Sequence, residues 1–352
     1  VHCLSRFGSL PLLLLLLLAL TGSLLLACDA GWFKRTPKVL RLHDDQIDAL
    51  QITNAIAEFI LETGYGYRVE RLDLTTKEVQ RMLVSGELDV TLEAWTTSNR
   101  AWLERELARD TILDLGPAYG QGQEFWMIPA WVAKRYQITS VEDMKRHWRL
   151  FQDPEDPTKG VFFNCIIGWT CLEINRIKLE AYGLDRYYNA VSPSSPEALE
   201  AAFENAQLKQ IPVFGYYWNP NAMMALYQWQ ILEEPPHAPD VWADILAAGE
   251  DPSRRPLNTA CQYEAGSGHK LVHHRLADRA PEVIDVLRRL HLDTDTLNEL
   301  LLRSRLTNAE SWPDIARYFF RRYPEVWHAW VTTAAREKMD HQLGTLRSES
   351  ID

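Results

Sequence analysis

The sequence predicts an α/β protein of two lobes, the second inserted into the first, with helices at the C-terminal end. Three observations carry this expectation. Strand-length apolar runs alternate with stretches of helical spacing over the first third of the chain, which favours a largely parallel sheet with helices packed on it. A second set of the same alternation begins past residue 126, and beyond about residue 235 the pattern turns helical. The simplest assembly has the chain cross between lobes twice. That places 38–125 plus 235–342 in one lobe, 126–234 in the other, and 343–352 in a frayed tail. A cleft then lies between the lobes, and ligands in open α/β sheets favour the C-terminal ends of strands.

The elements run in order along the chain. VLRLHDD (39–45) reads as a strand, and QIDALQITNAIAEFILETGYG as a helix stopped by glycine. YRVERLDL (67–74) is a second strand. A helix opening near Thr76 comes next, with Glu78 placed to favour its N-terminal dipole. DVTLEAW (89–95) is a third strand, leading to a helix through Trp102 that ends near Arg109. GQEFWMIPAWVAKRY (122–136) is apolar enough to run between the lobes, and ITSVEDMKRH opens a short helix. VFFNC (161–165) is a strand, and WTCLEINRIKLEAYGL (169–184) a helix ended by Gly183. A further helix is capped by Ser195, and the strand IPVFGYYW (211–218) runs into an Asn-Pro-Asn loop. After the proline-rich EEPPHAPD, a return strand and three helical stretches complete the chain.

The first residues bear on compartment. A short region with Arg6 precedes a Leu-rich run ending in Leu25-Leu26-Ala27-Cys28. This is a secretory signal layout. The small residue before Cys28 resembles a bacterial lipobox, so 1–27 reads as a lipoprotein signal peptide, Cys28 as the lipidated residue, and 28–37 as a linker. An uncleaved anchor of about 18 apolar residues and an ordinary signal peptide are the other readings. All three export the rest of the chain, and the lipid would tie it to the cell membrane, on its periplasmic face in a cell with two membranes. Asp29 after the lipidated residue favours inner-membrane retention in some such bacteria.

Composition is that of a globular protein, 46% hydrophobic and 24% charged. The formal net charge of -11 argues against nucleic acid as partner and is compatible with a cationic ligand. Of five cysteines, Cys3 leaves with the signal and Cys28 carries lipid. Cys165 and Cys171 lie close together in an oxidising compartment, where a disulfide is favoured over a zinc site that lacks nearby further ligands. Cys261 remains as a buried thiol.

The chain has 13 tryptophans, and three stand at strand ends. Trp95 closes DVTLEAW, Trp169 follows VFFNC, and Trp218 closes IPVFGYYW. One such residue is most simply core packing. Three in equivalent places from both lobes suggest a box of indole faces. A quaternary ammonium has no N–H to donate, and each face attracts it by about 0.5–2 kcal/mol.

These residues carry a resemblance. Cys-x-x-Gly-Trp-x-Cys after a strand, Tyr216-Tyr217-Trp218-Asn219-Pro220, and Trp95 after ELDVTLEA are similar to the glycine betaine, proline betaine and choline-type substrate-binding proteins of ABC importers. The likeness runs from about residue 38 to 340, through ADRAPEVIDVLRRLHLDTDTLNELL and SWPDIARYFFRRYPEVWHAWV. It implies a type II periplasmic-binding fold that closes around its ligand and delivers it to an ABC permease. It places Trp95, Trp169 and Trp218 on the positions of a tryptophan cage, and Cys165 and Cys171 on a loop disulfide found in part of the family. Gly168, Thr170 and Tyr217 fall beside the cage, and a helix opening at Trp169 would offer free N–H groups to a ligand carboxylate. The chain departs from the family motif at Ile167, where Pro is usual, and at Thr170, where Gly is usual. Glu93 and Glu124 are candidate counter-charges, and an acid there favours a ligand with no carboxylate, such as choline. For Glu93 this requires a regular strand that turns it the same way as Trp95.

Other constellations are weaker. His269 and His273 share a helix face but lack a third metal ligand. His43-Asp44-Asp45 reads first as a helix cap and second as a ligand contact. No nucleophile elbow, phosphate loop or dinucleotide fingerprint occurs, so neither cofactor nor catalysis is expected. A sensor that binds the same ligand class, and a secreted lipoprotein enzyme, are the alternative functions.

Overall fold

The computed structural model describes residues 38–307 and 311–348. The signal segment and Cys28 lie outside the described residues. The chain opens with β1 (Val39–Asp44), α1 (Asp48–Phe59), β2 (Arg68–Asp73), α2 (Thr76–Ser85), β3 (Val90–Trp95), α3 (Arg100–Ala108) and β4 (Ile112–Pro117). It continues with β5 (Gln123–Pro129), α4 (Ala130–Tyr136), α5 (Met144–His147), β6 (Gly160–Phe163), α6 (Cys171–Ala181), β7 (Tyr188–Val191), α7 (Pro196–Lys209), β8 (Gly215–Asn219), α8 (Ala222–Leu226), β9 (Trp229–Ile231) and α9 (Pro239–Glu250). β10 (Gly268–His273) precedes α10 (Leu276–Arg279), α11 (Pro281–Arg289), α12 (Thr294–Leu306), α13 (Trp312–Arg322), α14 (Pro324–His328) and α15 (Thr333–Ser348).

Two five-stranded sheets result, in the orders β2-β1-β3-β10-β4 and β7-β6-β8-β5-β9. β1 pairs in parallel with β2 and β3, and β6 with β7 and β8. Each sheet also holds an antiparallel strand, β10 in the first and β5 in the second. The sheets are therefore mixed, where the alternation alone suggested mostly parallel pairing. β5 and β10 are the strands that come after each crossing between lobes, so each enters its new sheet from the opposite direction. At the crossing, Gly122 and Gly266 exchange backbone hydrogen bonds, N–H of each to C=O of the other.

The crossings differ from the expected boundaries. β5 starts at Gln123 and belongs entirely to the second sheet, so the first crossing precedes residue 126. The return comes near Gly266 rather than at 235, because α9 packs on α6 of the second lobe and Tyr263 donates to Asn175 at 2.7 Å. The expected tail is helical through Ser348. Ala335, Met339 and Leu343, four residues apart, are buried and anchor α15 on the helical turn at Gly64.

α1 is buried over most of its length, from Ala49 to Ala57, and shows no polar face there. Such a helix needs cover on all sides. The first sheet covers one side and α13 the other, with Phe59 and Phe320 rings 4.7 Å apart. α2 is amphipathic instead. Val79 and Leu83 pack with Leu103 and Leu271 in a small cluster of their own. It opens at Thr76, as expected: Thr75 caps it, and the Glu78 carboxylate accepts from the Thr75 N–H at 2.8 Å and hydroxyl at 2.7 Å. This is the reciprocal arrangement that satisfies an otherwise free helix terminus. Ser195 accepts from Ala198 N–H at 3.2 Å and caps α7. No helix among the described residues is long and apolar enough to cross a membrane.

Candidate functional site

The C-terminal ends of β1, β3 and β8 face one another across the cleft. A cavity of about 80 Å³ lies between them. At one water per 10–15 Å³ this holds several waters, or one small organic ion. Its walls include His43 on β1, Asp45 just after it, Glu93 and Trp95 on β3, Trp102 on α3, Glu124 on β5, Trp169 and Thr170 before α6, and Tyr216 and Trp218 on β8.

The three expected indoles thus meet at one cavity, with Trp102 as a fourth. Trp169 and Trp218 stand edge to face, with ring centroids 5.5 Å apart and planes at 76°. Trp218 is 4% exposed, packed against Tyr216 at 6.1 Å and Tyr217 at 4.8 Å. Trp95 donates its indole N–H to Glu93 at 3.2 Å, and its ring lies against the hinge, where a Cβ on Gly122 would come within 2.6 Å of it. Trp169 reaches across the cleft to donate to Asp45 at 3.0 Å.

The polar wall is acidic. Thr91, Glu93 and Trp95 alternate along β3, so the carboxylate shares the indole's face. Burial pushes Glu93 up to about 7. Burial does the same to Asp45, also about 7, despite its bonds from the Gln46 amide and the Trp169 indole. Glu124 is raised by burial, while Ser98 and Tyr216 each donate to it at 2.8 Å. Burial lowers His43 to about 4, so it is neutral at ordinary pH. Its Nε2–H faces the Leu74 carbonyl at 3.2 Å, which leaves Nδ1 to accept from Thr91 at 2.9 Å. No lysine or arginine lines this cavity among the described residues. A buried cation acts on Glu124 from nearby: Lys178 pairs with Glu234 at 2.7 Å, over the Tyr263 ring.

Several expected site residues sit elsewhere. Tyr217 is fully buried on the opposite face of β8, against Phe203, with its hydroxyl directed to Asn221. Strand alternation puts Tyr216 on the cavity face in its place. Gly168 does not line the cavity; it packs on Thr75 across the cleft, with φ of +97° and a Cβ position 2.8 Å from Thr75 Cγ2. α6 begins at Cys171, and the Trp169 amide donates to Ile166 C=O, so it is not free for a ligand. His269 and His273 lie on strand β10, bound to Asp114 and to the Leu83 carbonyl, rather than on a helix face. Asp44 and Asp45 do not cap α1, whose N-cap is Ile47. Asp44 accepts from Gln51 and Asn54, and Asp45 faces the cavity. Cys165 and Cys171 are joined in a disulfide, and Cys261 is free and buried. Sequence reasoning passed over Asn99, Trp102 and Tyr216. The available signals were the strand period for Tyr216 and the position of Asn99 just past a strand end.

Comparison with known proteins bears on this arrangement. Residues 40–322 match the model of the substrate-binding domain of ABC-type glycine betaine transport systems. The chain belongs to that family. Solved structures of similar fold include a choline-binding protein of an ABC transporter in complex with choline, at 18% identity and a TM-score of 0.69 over 87% of this chain and 98% of that one. Another is the glycine betaine, L-proline-binding protein ProX of Borrelia burgdorferi, at 18% identity and 0.68, covering 86% and 100%. A third is lactococcal OpuAC, closed around glycine betaine, at 15% identity and 0.65, covering 84% and 100%. At such identities these likenesses speak to the fold alone. The fold is the two-lobe type II periplasmic-binding architecture.

Proposed function

We propose that this family member captures a small quaternary ammonium cation without a carboxylate, choline rather than glycine betaine. Trp95, Trp169 and Trp218 enclose the methylated nitrogen, while Glu93, Asp45 and Glu124 supply the negative field. The protein then delivers the cation to an ABC permease, from the outer face of the membrane to which a lipid on Cys28 ties it.

The observation that carries this reading is the make-up of the cavity wall: four indoles, those of Trp95, Trp102, Trp169 and Trp218, and three carboxyl groups, with no lysine or arginine among the described residues. A permanently charged nitrogen is stabilised by each aromatic face at about 0.5–2 kcal/mol. A ligand carboxylate at about 4 Å from an ionised wall acid would be opposed by roughly 4 kcal/mol at an effective dielectric of 20. The Thr170 hydroxyl donates to Asn99 and the Trp169 amide to Ile166, so neither of these donors is free for that carboxylate.

Intrinsic tryptophan fluorescence, titrated with choline, tetramethylammonium, carnitine and glycine betaine, tests it. Choline should bind at least about tenfold more tightly than glycine betaine, a gap of about 1.4 kcal/mol. Glycine betaine binding as well as choline, or silence towards every methylated ammonium, would defeat the reading. Trp169→Ala should weaken choline about tenfold or more, in line with loss of one face.

A further inference from the structure

We propose that Thr97–Arg100, the loop leaving β3 together with the first residue of α3, is a clasp that holds the lobes closed, with Asn99 as its positioning residue. The proposal rests on the reading of two lobes closing over a ligand, and goes beyond it by assigning the closed state to one loop. Four consecutive residues of this loop each bond to a different segment from beyond the first crossing. The Thr97 carbonyl accepts from the Trp242 indole on α9 at 3.4 Å. Ser98 donates to Glu124 on β5 at 2.8 Å. Asn99 Oδ1 accepts from the Thr170 hydroxyl, next to Trp169, at 2.8 Å. Arg100 pairs with Glu264, close to the return crossing.

Asn99 is central because its amide makes three bonds at once. Oδ1 also accepts from Gln80 on α2 at 2.9 Å, and Nδ2 donates to the Trp95 carbonyl at 2.8 Å. One planar group therefore joins the backbone of one cage wall to the residue beside another. When the lobes part, the Thr170 bond breaks while the Gln80 and Trp95 bonds, both within the first lobe, remain. The amide then waits in the geometry that closure requires. Thr97 and Ser98 are each 6% exposed, so their crossing bonds are shielded from water and are strengthened accordingly. The hinge fixes the loop's other side: a Cβ on Gly266 would come within 2.7 Å of Thr97 Cγ2.

The test uses Asn99→Ala, Thr170→Val and the double variant, with choline as probe and stopped-flow tryptophan fluorescence as readout. Each single change should speed choline release about tenfold with association within about twofold, since such contacts act mainly on dissociation. The double variant should release no faster than either single one, because the two residues share one bond. Circular dichroism melting reports whether each variant folds, and a merely structural role for Asn99 would lower the melting temperature without that non-additivity. Unchanged release rates, or effects that add, overturn the clasp. Should the unaltered protein respond to no methylated ammonium, the functional reading fails by itself. The clasp is then decided by energy transfer between dyes on the two lobes of the unliganded protein. The closed population should fall in both variants, and an equal population in all three proteins sinks it.

Discussion

Asp45 and Glu93 set the behaviour of the site with pH. Both are raised to about 7 by burial, and both line the cavity with Glu124, which burial also raises. Asp44 and Asp73 add negative charge near Asp45, while His43 is neutral above about 4 and Lys178 is engaged by Glu234. A raised carboxyl pKa means that the folded, unliganded protein holds protons which the unfolded chain has already released. Its stability therefore falls as pH rises from the ordinary carboxyl range to about 7, and is level above that. A bound cation reverses the balance by favouring the ionised carboxylates. Choline affinity should accordingly rise between pH 6 and pH 8, which titrations across that range will show. Glu93→Gln should weaken binding at pH 8 by about tenfold, a lost charge interaction of about 1.4 kcal/mol, and flatten the profile. A variant with the steep profile of the unaltered protein would remove Glu93 from the cation's field. The indoles were legible in the sequence because tryptophan at a strand end is conspicuous. Asp45 was not, since an acid before a helix reads first as a cap, and only the fold turns it into the cleft.

Among the elements, pattern reading succeeded where burial is one-sided or complete and failed where it is slight. β1, β3 and β8 carry dense apolar runs and were legible. β4, β7 and β9 are edge strands, short or half-exposed, with too few apolar residues to stand out. Their missing signal also hid the antiparallel place of β5, which depends on which neighbours it finds and not on its own residues. Two elements position the indoles of the cavity by geometry. At the hinge, a Cβ on Gly122 would lie 2.6 Å from the Trp95 ring and 2.9 Å from the Asn219 carbonyl. Backbone cannot yield there cheaply, and overpacking of this kind costs about 1–3 kcal/mol. Gly122→Ala should therefore displace Trp95 and raise the dissociation constant about tenfold, with fluorescence titration and thermal melting measured side by side. In the Trp169 loop, the Cys165–Cys171 bridge closes only a few residues. Replacing both cysteines by serine should cost about 2 kcal/mol by the chain-entropy account and should weaken choline further by freeing Trp169. Stability lost with affinity intact would mean that the bridge serves the fold and not the cage.

At the scale of the whole molecule the lobes also meet away from the cavity. α12 packs on α1 from the first lobe and on α8 from the second. Near its end, Arg305 pairs with Glu200 on α7 and stands 3.4 Å from Asp48 at the start of α1. The side chains of Asp48 and Glu200 are only 15% and 13% exposed, so this pair is screened less than a surface ion pair would be. The sequence hid it, because RSRL at a helix end reads as a solvated face until the second lobe is set beside it. Since Arg305 touches neither the cavity nor the cage, its effect should be blind to ligand identity. Arg305→Gln should raise the dissociation constants of choline and tetramethylammonium by the same factor, about three- to tenfold, as expected for one partly buried charge pair of about 1 kcal/mol. Salt separates this from a general loss of the cation's attraction to the site. Raising ionic strength weakens the unaltered protein through both the site and the latch, but the variant through the site alone. The ratio of their affinities should therefore shrink as sodium chloride rises from about 0.05 M to 0.5 M, a span over which the screening length falls from well above 10 Å to a few ångströms. A ratio that stays constant with salt would show that Arg305 acts by packing α12, and that closure on this side is not electrostatic.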